Sequence, residues 1–222
     1  MRQIKVIITG TTGMVGEGVL MSCLSDSRIA EVLSVSRRST GKSHRKLKEY
    51  IVNDFLSMKE GDHRLAGYDA CFFCAGVSSL RMSEADYTRM TYETTLHFAK
   101  IVSGQNPEMT FVYVSGAGTD STEKGRSMWA RVKGRTENAL TGLPFRKVHN
   151  FRPAFIKPLP GQKHVLSAYK YVGWMYPILR PVFPNVVCTV SEIAAAMIQC
   201  ATGDVDKATI EVSDIRRLAS GH

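Results

Sequence analysis

The sequence predicts an α/β protein built on a doubly wound, mainly parallel sheet. Three observations carry this expectation. Short β-branched runs alternate with longer amphipathic stretches along the chain. Two of the runs, Val6-Ile7-Ile8 and Cys71-Phe72-Phe73, are apolar on both faces, as strands covered by helices on each side require. A glycine-spaced turn joins the first run directly to the first amphipathic stretch. With 222 residues, 44% of them hydrophobic, the chain can bury a large core as a single domain over 1–222. Apolar residues recur along the whole length, which excludes extended disorder. Every apolar run is broken well before the roughly 20 residues a membrane span needs.

In chain order, strands are expected over Ile4–Thr9, Val32–Ser36, Glu49–Val52, Ala70–Cys74, Thr110–Ser115 and Lys147–Phe151. Helices are expected over Val15–Leu24, Glu84–Val102 and Met128–Leu140. Beyond residue 153, prolines at 153, 158, 160, 177, 181 and 184 change the texture. A helix is predicted over His164–Tyr176, another capped by Ser191 and ending at Cys200, and a late strand over Ala208–Val212. Residues 157–222 are too few for an independent domain. They read as an extension over the carboxyl ends of the strands, where open sheets of this kind bind ligands and where the tail would shape a substrate site.

Composition narrows the partners. Lys and Arg number 29 against 20 Asp and Glu, a net charge of +9 that suits phosphate-bearing ligands. The N-terminus, Met1-Arg2-Gln3-Ile4-Lys5, lacks the apolar core of a signal peptide. Five irregularly spaced cysteines fit free thiols in a reducing, cytoplasmic setting. The basic stretch Ser39–Lys48 lacks the interleaved aromatics of a nucleic-acid surface, so nucleic acid and membrane are not expected partners. Cys71 and Cys74 sit three apart on a strand and point to opposite faces, and the histidines show no ligand spacing, so no metal site is expected. Val114-Ser115-Gly116 lacks the first glycine of a hydrolase elbow.

The segment Thr9-Gly10-Thr11-Thr12-Gly13-Met14-Val15-Gly16 carries the clearest chemistry. Gly10 allows the tight turn out of the strand, Gly13 lets backbone approach a pyrophosphate, and Gly16 lets helix and strand pack closely. Thr12, Met14 and Val15 complete a cradle whose helix N-terminus offers unpaired N–H donors and a positive dipole end. An NAD-specific site carries an acid about 20 residues further on, to hold the ribose hydroxyls. Here the second strand ends in Ser36-Arg37-Arg38. Guanidinium groups bind a 2′-phosphate that a carboxylate would repel, which favours NADP(H) over NAD(H).

The Gly-x-x-Gly-x-x-Gly spacing resembles the short-chain dehydrogenase/reductase superfamily, a Rossmann-fold group. The Thr-Gly opening is most similar to its extended and atypical branches, the NAD-dependent epimerase/dehydratase-like and NmrA-like members. Further motifs follow in the superfamily's order over roughly residues 3–157. The resemblance implies that Asp54 and Phe55 receive adenine and that Cys74, Ala75 and Gly76 support its ribose. It implies a catalytic serine at Ser115 and a lysine at Lys133 that also binds the nicotinamide ribose. Pro153, Ala154, Phe155 and Ile156 would form the loop that meets the nicotinamide, and relatives often pair into homodimers.

One position departs from the pattern. The superfamily places a tyrosine four residues before its lysine, close enough for the ammonium to lower the phenol pKa for proton transfer. Here the segment reads Trp129-Ala130-Arg131-Val132-Lys133, and an indole offers no titratable proton. Tyr87, Tyr92 and Tyr113 are substitute candidates, none at the required spacing. Three readings follow: a reductase or isomerase of a small carbonyl compound with an altered proton donor, a catalytically weak NADP(H)-sensing regulatory protein, or an assembly partner that holds a nucleotide for stability. A nucleotide-sugar epimerase would need a longer tail.

Overall fold

The computed structural model describes residues 2–165, 176, 180–183 and 185–221. Seven parallel strands form the main sheet: β1 (Ile4–Thr9), β2 (Ile29–Ser36), β3 (Leu47–Ile51), β4 (Ala70–Phe73), β5 (Thr110–Val114), β6 (Lys147–Arg152) and β9 (Thr209–Glu211). Their spatial order is β3-β2-β1-β4-β5-β6-β9, so the winding direction reverses between β1 and β4. Ligand crevices open at the carboxyl ends of strands at such a reversal. A second, two-stranded parallel sheet pairs β7 (Phe155–Lys157) with β8 (Val187–Thr189).

Strand alternation divides the core. Val6, Ile8 and Phe72 point to the face covered by α1 (Met14–Ser25), α5 (Val190–Thr202) and α6 (Val212–Ala219). Ile7, Cys71, Phe73, Phe111 and Tyr113 point to the other face, beneath α3 (Thr94–Gln105) and the end of α4 (Met128–Thr141). Cys71 therefore sits in one cluster while Cys74 packs against the other. Helices on both faces explain why these strands are apolar throughout.

The expected elements occur with shifted ends. β2 starts three residues early, at Ile29, because Ile29 pairs with Ile4. The stretch expected as one helix over Glu84–Val102 comprises α2 (Glu84–Thr88), a π-helical turn (Arg89–Glu93) and α3. The cap of α5 is Thr189, not Ser191. Thr189 accepts from the Glu192 amide at 3.0 Å while the Glu192 carboxylate accepts from the Thr189 amide at 2.7 Å, and Ser191 is already inside the helix. Phe155 and Ile156, expected in a loop, belong to β7, and the Ile156 side chain is buried in the core against α1 and α5. The helix expected over 164–176 lies largely outside the described residues.

Candidate functional site

The glycine turn does three separate jobs. Gly10 has φ +68°, and a Cβ there would stand 2.6 Å from the Ala75 amide nitrogen. The Ala75 amide also donates to Thr9 Oγ1 at 3.1 Å, so the turns after β1 and β4 are stitched together. A Cβ on Gly16 would overlap the Gly10 carbonyl, so this glycine sets how closely α1 approaches the turn. Gly13 is different. It is exposed, with extended backbone (φ −112°, ψ 165°), and the atom nearest a built Cβ is Gly10 O at 3.3 Å. Gly13 caps α1 without a side-chain acceptor, leaving the first-turn amides to a ligand. A Cβ at 13 would press on the Gly10 carbonyl without overlapping it, so the fold constrains this glycine less than Gly10 or Gly16.

Behind this turn lies a clasp that sequence reading missed. Glu17, in the first turn of α1, is buried and accepts the amides of Lys163 (3.0 Å) and His164 (2.9 Å), while Lys42 Nζ lies 3.3 Å away. Burial alone would raise its pKa; the two amides and Lys42 outweigh that and hold it below the usual carboxylate range. Gln162 adds a bond from its Nε2 to the Met14 carbonyl at 2.5 Å. The start of the tail is thereby pinned to the helix that carries the glycine turn. No local motif marks Glu17, since its partners lie far away in sequence.

Beside the turn, at the β1/β4 reversal, Arg37, Asp54, Phe55, Ala75 and Gly76 line one cleft of about 350 Å³. Five residues assigned to the adenosine end thus converge, joined by Arg89, Met90 and Thr94 from the π-helical stretch, which the sequence did not single out. Arg37 and Arg38 are exposed and, among the described residues, have no carboxylate partner. The turn that carries them is held by Ser36, whose hydroxyl donates to the Arg38 carbonyl, and by Glu49, which accepts from the Thr40 amide at 2.7 Å. Asp54 caps the short turn Phe55–Ser57 through the Leu56 amide (3.0 Å), and the Phe55 ring lies edge-on to Phe98 at 5.5 Å. Cys74 is partly buried next to Ala75.

At the carboxyl end of β5, helix α4 brings Trp129, Lys133 and Glu137 onto one side at i, i+4 and i+8. Gly134 makes this approach possible, because a Cβ there would overlap the Asp120 carbonyl. Lys133 Nζ donates to the Ser115 carbonyl and stands 3.9 Å from the position a Cβ on Gly116 would take. Burial pulls the ammonium down to about 8, with Glu137 opposing from one turn away. The Trp129 ring lies against Gly118, 3.6 Å from a Cβ built there.

Ser115 is in place but its hydroxyl is committed. It donates to Glu137 Oε1 and to the Phe151 carbonyl, and the side chain is 4% exposed. Glu137 in turn pairs with Arg152, whose Nε donates at 3.0 Å and whose Nη2 also reaches Ser121 Oγ at 2.6 Å. The orienting hydroxyl expected from Ser115 faces a buried carboxylate instead of open space. The substitute tyrosines are occupied as well. Burial raises the pKa of Tyr113 and Tyr87, and Tyr92 lies under the Arg135 guanidinium at 4.3 Å. Pro153 and Ala154 remain near the site, the Pro153 carbonyl accepting from the Ala117 amide at 2.9 Å, while Phe155 is 49% exposed at its edge.

Comparison with known proteins agrees with the fold. No sequence-family profile matches the chain. Protein FMP52, mitochondrial, of Chaetomium globosum is 24% identical over 155 residues, 68% of this chain and 65% of that protein. Leucinostatins biosynthesis cluster protein T of Purpureocillium lilacinum is 29% identical over 62% of this chain and 51% of that protein. Protein HTATIP2 of Rattus norvegicus is 23% identical over 70% of this chain and 64% of its own length. The chain thus spans about half to two-thirds of these relatives. Among solved structures, the Bordetella bronchiseptica enzyme WbmF in complex with NAD+ superposes with a TM-score of 0.66 at 14% identity, covering 99% of this chain and 77% of that one. A short-chain dehydrogenase from Burkholderia cenocepacia in complex with NADP gives 0.64 at 14% identity, with 99% and 92% covered. These likenesses show the fold, a doubly wound parallel sheet of the Rossmann type, as the strand–turn–helix pattern predicts.

Proposed function

We propose that the protein is an NADP(H)-binding oxidoreductase or isomerase of a small carbonyl compound, with an altered proton donor. The observation that carries this reading is the cleft at the β1/β4 reversal, where Arg37, and no acid, stands at the end of β2 beside Asp54, Phe55, Ala75 and Gly76. The residues fit the cofactor on two counts. The first turn of α1, without a side-chain cap beside exposed Gly13, suits a diphosphate, and the exposed guanidiniums of Arg37 and Arg38, without a carboxylate partner among the described residues, suit a 2′-phosphate. When bound, the nicotinamide supplies hydride chemistry. Lys133 holds the ribose side and a proton at Nζ, Trp129 walls the substrate space, and Glu137 with Arg152 fixes Ser115 beneath it.

Five free thiols support a reducing compartment, and a cytoplasmic location belongs to the proposal, although one relative's name is mitochondrial. The partner is a small molecule. Among the described residues no helix is long and apolar enough to cross a membrane. The second reading, a weakly catalytic protein that senses NADP(H), is favoured by the indole at 129 and the committed Ser115 hydroxyl.

Fluorescence titration with NADPH and NADH tests the cofactor assignment. Loss of a bidentate charged contact costs about 1.5–3 kcal/mol, so Arg37→Ala/Arg38→Ala is expected to weaken NADPH roughly tenfold or more and leave NADH nearly unchanged. Equal affinities for the two cofactors in the unmodified protein would refute the NADP(H) preference.

A further inference from the structure

We propose that Lys133 is itself the proton donor of this site, taking over the task that a phenol at position 129 would perform. The inference rests on the oxidoreductase reading above and adds a role to a residue already placed there. Trp129 fills the expected place of the phenol with a ring that has no acid proton, and it lies against Gly118 in the loop after β5. The Ser115 hydroxyl donates to Glu137 and to the Phe151 carbonyl. Tyr113 and Tyr87 are buried, and Tyr92 is covered by Arg135. At the carboxyl end of β5, Lys133 Nζ donates to the Ser115 carbonyl and lies 3.9 Å from a Cβ built on Gly116, whereas the Thr119 hydroxyl beside it gives its proton to the Gly116 carbonyl.

The surroundings explain why this lysine can release its proton. A buried lysine usually keeps its charge by pairing with a carboxylate. The carboxylate one helical turn away, Glu137, is bound instead to Arg152 from β6 and to Ser115 from β5. From β5 itself Lys133 meets a neutral carbonyl, and from β5 and α2 the phenols Tyr113 and Tyr87 are held un-ionised by burial. The ammonium is therefore desolvated without a direct counter-ion, which brings it down to about 8. In reduction, the N–H bond of Nζ would break and its proton would pass to the carbonyl oxygen, the nicotinamide when bound supplying the hydride that the carbon takes up. Water then reprotonates the neutral amine. In oxidation the neutral amine takes the proton from the alcohol.

The sign of the pH dependence follows. Reduction needs the ammonium, so its rate falls as pH rises through about 8, and oxidation needs the free amine, so its rate rises over the same interval. Two measurements test this. The first needs no substrate: acylation of lysines across a pH series, followed by peptide mass spectrometry with and without NADP+. Lys133 is expected to label with a midpoint near 8, against about 10.4 for an ordinary lysine. Glu137→Gln removes the opposing charge and should move that midpoint down. A midpoint at or above about 10 in the unmodified protein overturns the proposal.

The second is NADPH oxidation at saturating NADPH with a panel of aldehydes, ketones and quinones. Lys133→Arg keeps a cation but cannot donate in this range, so it is expected to lose at least about 100-fold in kcat. Retained kcat in Lys133→Arg, or NADPH binding without turnover of any panel member, overturns Lys133 as donor and leaves the cofactor reading standing. Absence of NADPH binding overturns the cofactor reading itself.

Discussion

Replacing Gly13 by valine separates the glycine kept for a ligand from those kept for the fold. The backbone at 13 is extended, at φ −112° and ψ 165°, a region valine adopts freely. A Cβ there meets Gly10 O at 3.3 Å, a tight contact that the exposed turn can relieve by a few tenths of an ångström. Replacing a glycine at a compatible position gains about 0.4–1 kcal/mol from the unfolded chain, which offsets that contact. The thermal midpoint of Gly13→Val should therefore stay close to that of the parent. Cofactor binding should not survive. The valine methyls stand over the uncapped amides of the first turn of α1, and losing two charge-assisted bonds at about 1.5–3 kcal/mol each weakens binding by more than about 100-fold. Calorimetry for folding and fluorescence titration with NADPH for binding read the two effects independently. Gly16→Ala is the contrast, because its Cβ overlaps the Gly10 carbonyl and should cost stability first. A folded Gly13→Val protein with parental NADPH affinity would refute the placement of the diphosphate.

Trp129→Tyr restores a phenol four residues before Lys133; with Lys133 already serving as donor, NADPH oxidation with the carbonyl panel is expected to change by less than about tenfold, and a rise of about 10²–10⁴-fold, the usual worth of a general acid, would show that the parent site lacks one. Arg152→Met removes the direct partner of the buried Glu137 carboxylate, a loss of up to about 3–5 kcal/mol that pairing with Lys133 would lessen, and urea unfolding should show it; a change under about 1 kcal/mol would mean that the pair is not buried in solution or that Lys133 fully replaces Arg152. Thr189→Ala removes the capping box of α5 at a cost of about 1 kcal/mol by the same assay, whereas Ser191→Ala should change little; the reverse order would put the helix start two residues later.

What was legible in the sequence was whatever is local. The strand runs, the glycine turn and the order of motifs depend on neighbours within about one element, and Val6, Ile7 and Ile8 announce a two-faced strand in themselves. The turn of β2 could be read because Arg37 and Arg38 adjoin the strand end. Glu17, Glu137 and Arg89 were invisible for the opposite reason. Each acts through residues distant in the chain: Glu17 holds the 163–164 amides, Glu137 joins β5 to β6, and Arg89 reaches the cleft from a π-helical turn that breaks helical periodicity. Ser191 reads as a cap by residue type alone, whereas the capping box with Glu192 makes Thr189 the cap. The resemblance places Phe155 and Ile156 in a loop, whereas pairing with Val187 and Cys188 of β8 makes them a strand.

The departure at position 129 has to be weighed together with Glu137, because the two residues share a face of α4 with Lys133 between them. Read from solvent inward, that face presents an aromatic ring, a desolvated ammonium and a carboxylate already paired with Arg152. If the carboxylate were free, it would pair with Lys133, hold its proton and leave a site able to bind a cofactor but not to exchange protons. If a phenol stood at 129, the lysine would need only to stay charged. With an indole outside and the carboxylate committed inside, Lys133 has neither a phenol to assist nor a counter-ion to bind. Retaining the Ser115 and Lys133 positions therefore does not mean retaining their roles: the serine hydroxyl becomes one of the groups that keep Glu137 occupied, and it supports the lysine from behind. Under the role proposed for Lys133, releasing Glu137 from Arg152 is expected to raise the pKa of Lys133 and shift the reductive pH limb upward.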